Sequence, residues 1–320
     1  MKILIIGAGV IGTIYGWAFS EAGHEVTHYV RPGKAAQYAP GITVHVLDGR
    51  DENQGERTAH YSLRVVETFS ASDGYDLILV SVRHYQLDSI LPLLAEHVGK
   101  ADILFFNALW TDFSPIDRVL PRQQYLWGYP VAGGSIDSNT LTGALLTDVH
   151  LGELDGRRTE RLERLIALFE SAGLKVSLEA NMLEWLWMHF AQEAAVIGVG
   201  FKAGSADKLM THVTALREVI LCMQETWKIC EARGVDMSKY RKDLSMFYMP
   251  SWIGAAAFRL YFRSHLLERK IMTSHTGEEE LKRIYHDVLS EGVRLNVDTP
   301  HFAALAGYVD SYHQSVSVPV

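Results

Sequence analysis

The chain has 320 residues, 48% hydrophobic and 21% charged, and a formal net charge of −8 at pH 7. That length exceeds a comfortable single core and favours two domains. The acidic balance argues against nucleic acid or an anionic membrane surface as the main partner and leaves room for a local basic pocket for a phosphate. No stretch approaches the roughly 20 apolar residues that cross a bilayer.

The first six residues, Met1-Lys2-Ile3-Leu4-Ile5-Ile6, read as a buried strand that glycine ends. The run is too short and too broken by glycine for a signal peptide. Gly7-Ala8-Gly9-Val10-Ile11-Gly12 follows as G-x-G-x-x-G, and a helical pattern then runs through Tyr15, Trp17, Ala18 and Phe19 to Gly23. Strand, tight turn and helix are the context that a dinucleotide fingerprint requires. Gly7 permits the turn, Gly9 lets a pyrophosphate approach the backbone, and Gly12 lets the helix pack on the strand. The N–H groups that open the helix at Val10 and Ile11 then face the phosphates.

His24–Val30 is the second strand, and it ends in Arg31 followed by Pro32-Gly33-Lys34. Enzymes that use NAD place a carboxylate at this strand end to hold the ribose hydroxyls. Here a guanidinium stands ready for a 2′-phosphate, which predicts NADP(H) as cofactor. Ile42–Leu47 and Leu63–Phe69 read as strands, with a polar loop or hairpin over Asp48–Thr58. Asp76–Val82 is a buried strand that delivers Arg83, His84 and Gln86. Gln86–Val98 is an amphipathic helix, and Asp102–Phe106 is a strand with Asn107 at its end. In such sheets ligands bind beyond the C-terminal strand ends.

Tyr125–Val131 and Ala144–Leu151 read as strands with a turn at Gly133-Gly134. A helix over Asp155–Ala172, capped by Gly173, leads to a last strand at Leu174–Leu178. Beyond residue 180 the pattern is helical: Met182–Val199, Ala206–Arg233, Pro250–Arg269, Glu278–Glu291 and Pro300–Tyr312. Cys222 and Cys230 are about 12 Å apart along one helix, too far for a disulfide. There is no metal spacing, and two reduced thiols predict a cytoplasmic protein. Phe247, Tyr248, Trp252, Phe258, Tyr261 and Phe262 recur at helical spacing, which makes core their default place. A substrate pocket or a dimer interface is the alternative. Asp298 reads as a helix cap, Glu153 as a structural loop residue, and the tail Ser315–Val320 carries no recognisable chemistry.

The expected fold is α/β. A Rossmann-type doubly wound sheet occupies residues 1–179, and an all-α substrate or dimerisation domain occupies 180–320.

In this order the features resemble the ketopantoate reductase (2-dehydropantoate 2-reductase) family, along essentially the whole chain. The motifs that carry the resemblance are the glycine turn, Arg31, the Leu79–Gln86 segment, Asn107, Leu151-Gly152-Glu153 and the Trp187 segment. The resemblance implies a C-terminal domain of the 6-phosphogluconate dehydrogenase type. It implies NADPH-dependent reduction of a 2-oxo acid, a step of pantothenate biosynthesis. The partners expected are a small 2-oxo acid and a second copy of the chain as a homodimer. Arg31 and Arg83 resemble the basic pair near the 2′-phosphate, with Gln86 three residues on. Asn107 resembles the Asn that touches cofactor and substrate, although Ala108 replaces the Gly that usually follows. Glu280, within Glu278-Glu279-Glu280, stands where the family has a substrate-binding Glu.

The family's helix motif is Trp-x-Lys-Leu with Asn four residues after the Lys, and the Lys acts as general acid. Here Trp187-Met188-His189-Phe190 carries His189 at the Lys position and Glu193 at the Asn position. Ile197 replaces a second Asn. An imidazolium can serve as the acid. Four residues apart, His189 and Glu193 share a helix face, so the carboxylate can orient the ring and favour its charged form. Taken alone, such a pair is an ordinary surface contact worth about 0.2–0.5 kcal/mol. His84 is a lesser acid candidate. The competing readings are a non-catalytic NADP-binding sensor on the same fold, a reductase of another oxo substrate, and an NAD(P)-linked dehydrogenase of secondary amines.

Overall fold

A computed structural model describes residues 1–50, 55–274 and 277–312. The chain divides into two compact units. One is built on Met1–Trp185, with the stretch from Lys270 counted with it; the other is built on Leu186–Arg269 and the C-terminal helices.

The first unit holds one ten-stranded sheet. Its strands are β1 (Lys2–Ile6), β2 (Glu25–Tyr29), β3 (Ile42–Asp48), β4 (Glu56–Tyr61), β5 (Val65–Val66), β6 (Leu77–Val80), β7 (Asp102–Phe106), β8 (Tyr125–Asp137), β9 (Thr140–Gly152) and β10 (Lys175–Leu178). The order is β4-β3-β9-β8-β7-β6-β1-β2-β5, with β10 beside β9. From β5 to β8 all neighbours are parallel. The antiparallel pairs are β3–β4 and β8–β9. β1 lies between β2 and β6, where the strand order reverses, and this is where a doubly wound sheet opens its ligand crevice. Strands β1, β6 and β7 are continuous apolar runs because helices cover both faces of the sheet.

Among the described residues the α-helices wholly within this unit are α1 (Val10–Glu21), α2 (Leu87–His97), α3 (Ser114–Asp117) and α4 (Glu160–Ser171). Tyr15 of α1 anchors the core, its ring 4.7 Å from Phe106 and 6.1 Å from Phe169. Leu162, Leu165 and Phe169 of α4 complete this face. Glu153 is buried, and its carboxylate accepts from Arg161 and Thr159, a structural role.

Several sequence expectations shift. The strand expected at Leu63–Phe69 shrinks to Val65–Val66, and its place is taken by β4, which starts inside the expected polar loop. Residues 51–54 of that loop lie outside the described residues. The alternation of β3 extends to Asp48 and turns its carboxylate inward, where Arg50 (2.8 Å) and Arg57 (3.1 Å) meet it. Gly133-Gly134 is not a turn. β8 runs through it to Asp137, and the chain reverses at Ser138, φ 53°. The glycines serve the ladder instead. A Cβ on Gly134 would lie 2.3 Å from the Thr142 carbonyl oxygen, and one on Gly143 would lie 2.1 Å from that of Gly133.

In the second part of the chain the helices are α5 (Met182–Ala203), α6 (Ala206–Thr211), α7 (Val213–Ala232), α8 (Ser251–Ser264), α9 (Leu266–Ser274), α10 (Glu278–Arg294), α11 (Pro300–Ala303) and α12 (Ala306–Ser311). Two expected long helices are broken, each at a histidine. His212 and His265 leave helical geometry, at ψ 115° and ψ 84°. The ring Nδ1 of His212 sits 2.8 Å from the Lys208 carbonyl oxygen, and that of His265 sits 2.7 Å from the Tyr261 carbonyl oxygen. Each imidazole makes a second contact to the carbonyl four residues back, which the backbone N–H of the same histidine also reaches. The last helix also splits, around Ala304–Leu305, and Thr299 rather than Asp298 is its cap position. The tail Ser315–Val320 lies outside the described residues.

On α8 the inward face is Gly254, Ala255, Phe258 and Phe262. Trp252 falls about 200° around the helix from Gly254 and is 65% exposed, so it is not core as expected. Cys222 and Cys230 are both buried and free. Among the described residues no helix is long and apolar enough to span a membrane, and no cluster has the makings of a metal site.

Candidate functional site

The parallel register of the central strands brings the predicted residues to one edge. Ile6 pairs with Tyr29 and Val80, and Val80 pairs with Phe105. The glycine turn, Arg31, the Ser81–Gln86 turn and Asn107 therefore leave the sheet at the same level.

In the glycine turn Gly7 adopts φ +103°, which L side chains rarely adopt. Its N–H donates to the Tyr29 carbonyl at 2.9 Å. Gly9 is the cap position of α1, no side chain caps the helix, and no acidic residue lies in its first turn. The dipole and the opening N–H groups of Val10, Ile11 and Gly12 are thus open to an anion. A Cβ on Gly9 would meet nothing within 4 Å, whereas one on Gly12 would lie 2.8 Å from Ser81 Oγ and 3.0 Å from the Gly7 carbonyl oxygen. Gly12 serves helix packing, and Gly9 leaves room for an incoming ligand.

Arg31 is exposed in the turn after β2, where Lys34 N–H donates to its carbonyl. Sequence reasoning missed Glu67, which follows β5, the strand beside β2. Its carboxylate accepts from Ala35 N–H at 2.8 Å. The backbone N–H groups of Ala35, Gly33 and Lys34 hold it below the usual carboxylate range. The loop beside Arg31 therefore carries an acid as well as a base. No signal in the sequence linked the two, because the pairing of β2 with β5 creates the proximity.

Arg83 donates from Nη1 to Tyr85 Oη at 2.9 Å, and its N–H donates to Gln86 Oε1 at 3.2 Å. The Gln86 carbonyl therefore closes this turn. Asn107 is buried at the end of β7, and its Nδ2 donates to the Val82 carbonyl at 2.7 Å. The carbonyl of Asn107 accepts from Trp127 Nε1 at 2.9 Å. Its Oδ1 is buried and has no hydrogen-bond partner among the described residues. A buried acceptor left open in this way is costly unless a ligand completes it.

In the second unit His189 Nε2 and Glu193 Oε1 are 3.6 Å apart on α5, an ion-pair distance but not a hydrogen bond. Both side chains are about a third exposed. One turn on from His189, Gln192 has a buried Nε2 without a hydrogen-bond partner among the described residues, a donor that no motif singles out. Trp187 is covered by Arg233, whose guanidinium lies 3.6 Å from the ring centroid. Glu280 is in the first turn of α10. Its neighbours Glu278 and Glu279 face Lys282 (2.9 Å) and Arg283 (3.4 Å) one turn on.

The first unit fits a dinucleotide: an uncapped helix start, open space over Gly9, and an Asn107 Oδ1 at the neighbouring strand end that has no partner among the described residues. The sequence model of the family described as "Ketopantoate reductase PanE/ApbA" matches residues 3–153. An uncharacterized oxidoreductase of Bacillus subtilis is 23% identical over 205 residues, 62% of this chain; the chain spans 64% of that protein's length, just under two thirds. A 2-dehydropantoate 2-reductase of Lactococcus lactis is 29% identical, with 97% of each chain covered. The solved structure of D-mandelate dehydrogenase with NADH and anilino(oxo)acetate shares the fold at a TM-score of 0.72 and 16% identity, covering 97% of both chains. The glycine turn, the strand order and these likenesses lead to one conclusion: residues 3–153 of the chain carry the sequence pattern of the ketopantoate reductase family.

Proposed function

We propose that the protein is an NADP(H)-dependent oxidoreductase that reduces a small 2-oxo acid of the ketopantoate type to its 2-hydroxy acid. The observation that carries this reading is Asn107: a buried Oδ1, without a hydrogen-bond partner among the described residues, level with the glycine turn that opens α1. When bound, the reduced nicotinamide supplies the hydride. Val10, Ile11 and Gly12 hold the pyrophosphate through their N–H groups, and Arg31 with Arg83 binds the 2′-phosphate. Asn107 orients carbonyl and nicotinamide. His189 gives the proton to the substrate oxygen, with Glu193 at 3.6 Å steadying the imidazolium, and Glu280 binds substrate. Gln192, whose amide N–H lacks an acceptor among the described residues, suits a substrate carboxylate. A second copy of the chain and a cytoplasmic setting accompany this reading.

A second substrate class is supported by the D-mandelate dehydrogenase likeness: 2-oxo acids with an aromatic side chain, such as phenylglyoxylate. The loss of the family's Lys and two Asn residues favours a changed substrate in the same way.

The test is NADPH oxidation by wild type and His189→Lys, each with ketopantoate and with phenylglyoxylate. Turnover by wild type, lost in His189→Ala while NADPH still binds, supports the assignment. Turnover of ketopantoate by His189→Lys alone places the native substrate elsewhere in the class. NADPH binding without turnover of any oxo acid sinks the enzymatic reading in favour of a sensor. An Arg31→Ala variant reads the cofactor choice: the preference for NADPH over NADH should shrink by about tenfold, the scale of one charge-assisted contact.

A further inference from the structure

The glycine turn is held from beneath by a residue that no motif includes. His28, the last residue but one of β2, is fully buried. Its Nδ1 lies 2.9 Å from the Gly7 carbonyl oxygen and its Nε2 lies 2.9 Å from the Tyr61 hydroxyl. A carbonyl only accepts, so Nδ1 carries the proton, and Nε2 is left to accept from Tyr61. The partners thereby fix a single neutral tautomer. Tyr61 ends β4 and also bonds Ser20 of α1. The helix presses on the same ring: a Cβ on Gly16 would lie 2.7 Å from His28 Nε2 and 2.9 Å from Tyr61 Oη.

Gly7 is therefore gripped at both of its backbone groups by consecutive β2 residues, its N–H by the Tyr29 carbonyl and its carbonyl by the His28 ring. This matters because the residue is a glycine at φ +103°. Without the imidazole, the peptide between Gly7 and Ala8 could rotate among many conformations at little steric cost. That peptide leads directly into Gly9 and the N–H groups of α1.

We propose that His28 is a positioning residue of the dinucleotide site: its ring locks the Gly7 carbonyl and so pre-sets the backbone that receives the pyrophosphate. The proposal rests on the dinucleotide reading above. The gain is pre-organisation, since the turn need not be ordered when the ligand arrives.

The experiment measures the Kd for NADPH and NADH, with thermal unfolding in parallel, for wild type, His28→Phe, His28→Asn and Tyr61→Phe. His28→Phe keeps a ring but loses both bonds, and both dinucleotides should bind about tenfold more weakly. The amide of His28→Asn can still donate to the Gly7 carbonyl and should recover most of that loss. Tyr61→Phe frees the tautomer and should weaken binding by roughly two- to threefold; it serves as the reading if His28→Phe does not fold. Equal Kd values in wild type and His28→Phe, or in wild type and Tyr61→Phe, overturn the proposal. So does an Asn variant as weak as the Phe variant at equal stability. A wild type that binds neither dinucleotide overturns the parent reading and the proposal together, which sets that failure apart.

Discussion

Glu225 and His301 are 76 positions apart in the chain, yet the Glu225 carboxylate lies 2.6 Å from the His301 ring Nδ1 and also accepts the Phe302 N–H at 2.9 Å. One buried side chain of α7 thus supplies the cap that α11 lacks from its own residues. Glu225→Ala strands these N–H groups and should cost about 2–4 kcal/mol in urea unfolding. His301→Ala removes only a half-exposed ring and should cost under about 1 kcal/mol. Equal losses in the two variants would show that the carboxylate acts through the ring and not as a cap.

Two glycines of one motif should respond in opposite ways. Gly9→Ala introduces a Cβ into open space, so the melting temperature should hold while dinucleotide affinity falls at least tenfold. Gly12→Ala brings a Cβ within 3.0 Å of the Gly7 carbonyl oxygen and 3.1 Å of Ile5, and stability itself should drop by about 1–3 kcal/mol. Differential scanning fluorimetry beside a binding titration separates the two. A destabilised Gly9→Ala with unchanged affinity would contradict the division of roles.

Burial lowers the His28 pKa from 6.5 to about 4, against the raising effect of its bond to the Gly7 carbonyl. The unfolded chain takes up a proton near 6.5, and the folded chain refuses it until about 4, so the unfolded state holds more protons in between. Stability from this group is complete above pH 6.5 and is lost as pH falls from 6.5 to 4, by up to about 3 kcal/mol. Urea unfolding of wild type and His28→Phe at pH 7.5 and pH 5 checks this: the variant should lose less over the interval. Parallel losses would assign the acid sensitivity to other groups.

Burial also raises both thiols, Cys230 to about 12 and Cys222 further. Neither should react with a disulfide reagent at pH 8 in the native protein, and two equivalents should react in guanidinium. Fast labelling of either residue in the native state would mean that α7 opens locally.

What the sequence disclosed followed from how local its physics is. β7 was readable to the residue because Asp102–Phe106 is one apolar run between polar ends, and Asn107 followed as the strand-end residue. The closeness of His189 and Glu193 needed only helix periodicity, and the 3.6 Å separation agrees. Gly133-Gly134 misled because glycine marks a turn and a close backbone approach with the same letter. The helix breaks at His212 and His265 were hidden because a histidine capping its own helix leaves no pattern. Glu67, His28 with Tyr61, and Glu225 were out of reach for another reason. Each acts on a residue that only strand pairing or helix packing brings near.

The facing glycines of β8 and β9 have a consequence for how the hairpin forms. Where Gly134 and Gly143 meet, the two backbones lie so close that even a methyl group on either strand would strike a carbonyl or Cα of the other. A two-residue slip would keep every side chain on its proper face, and hydrophobic burial alone would not reject it. It would, however, slide a residue with a Cβ into a gap that has no room for one. The empty space works as a keyway, so the hairpin zips in a single alignment. Because β9 also carries β3 and β10 along its length, that alignment sets the edge of the whole sheet.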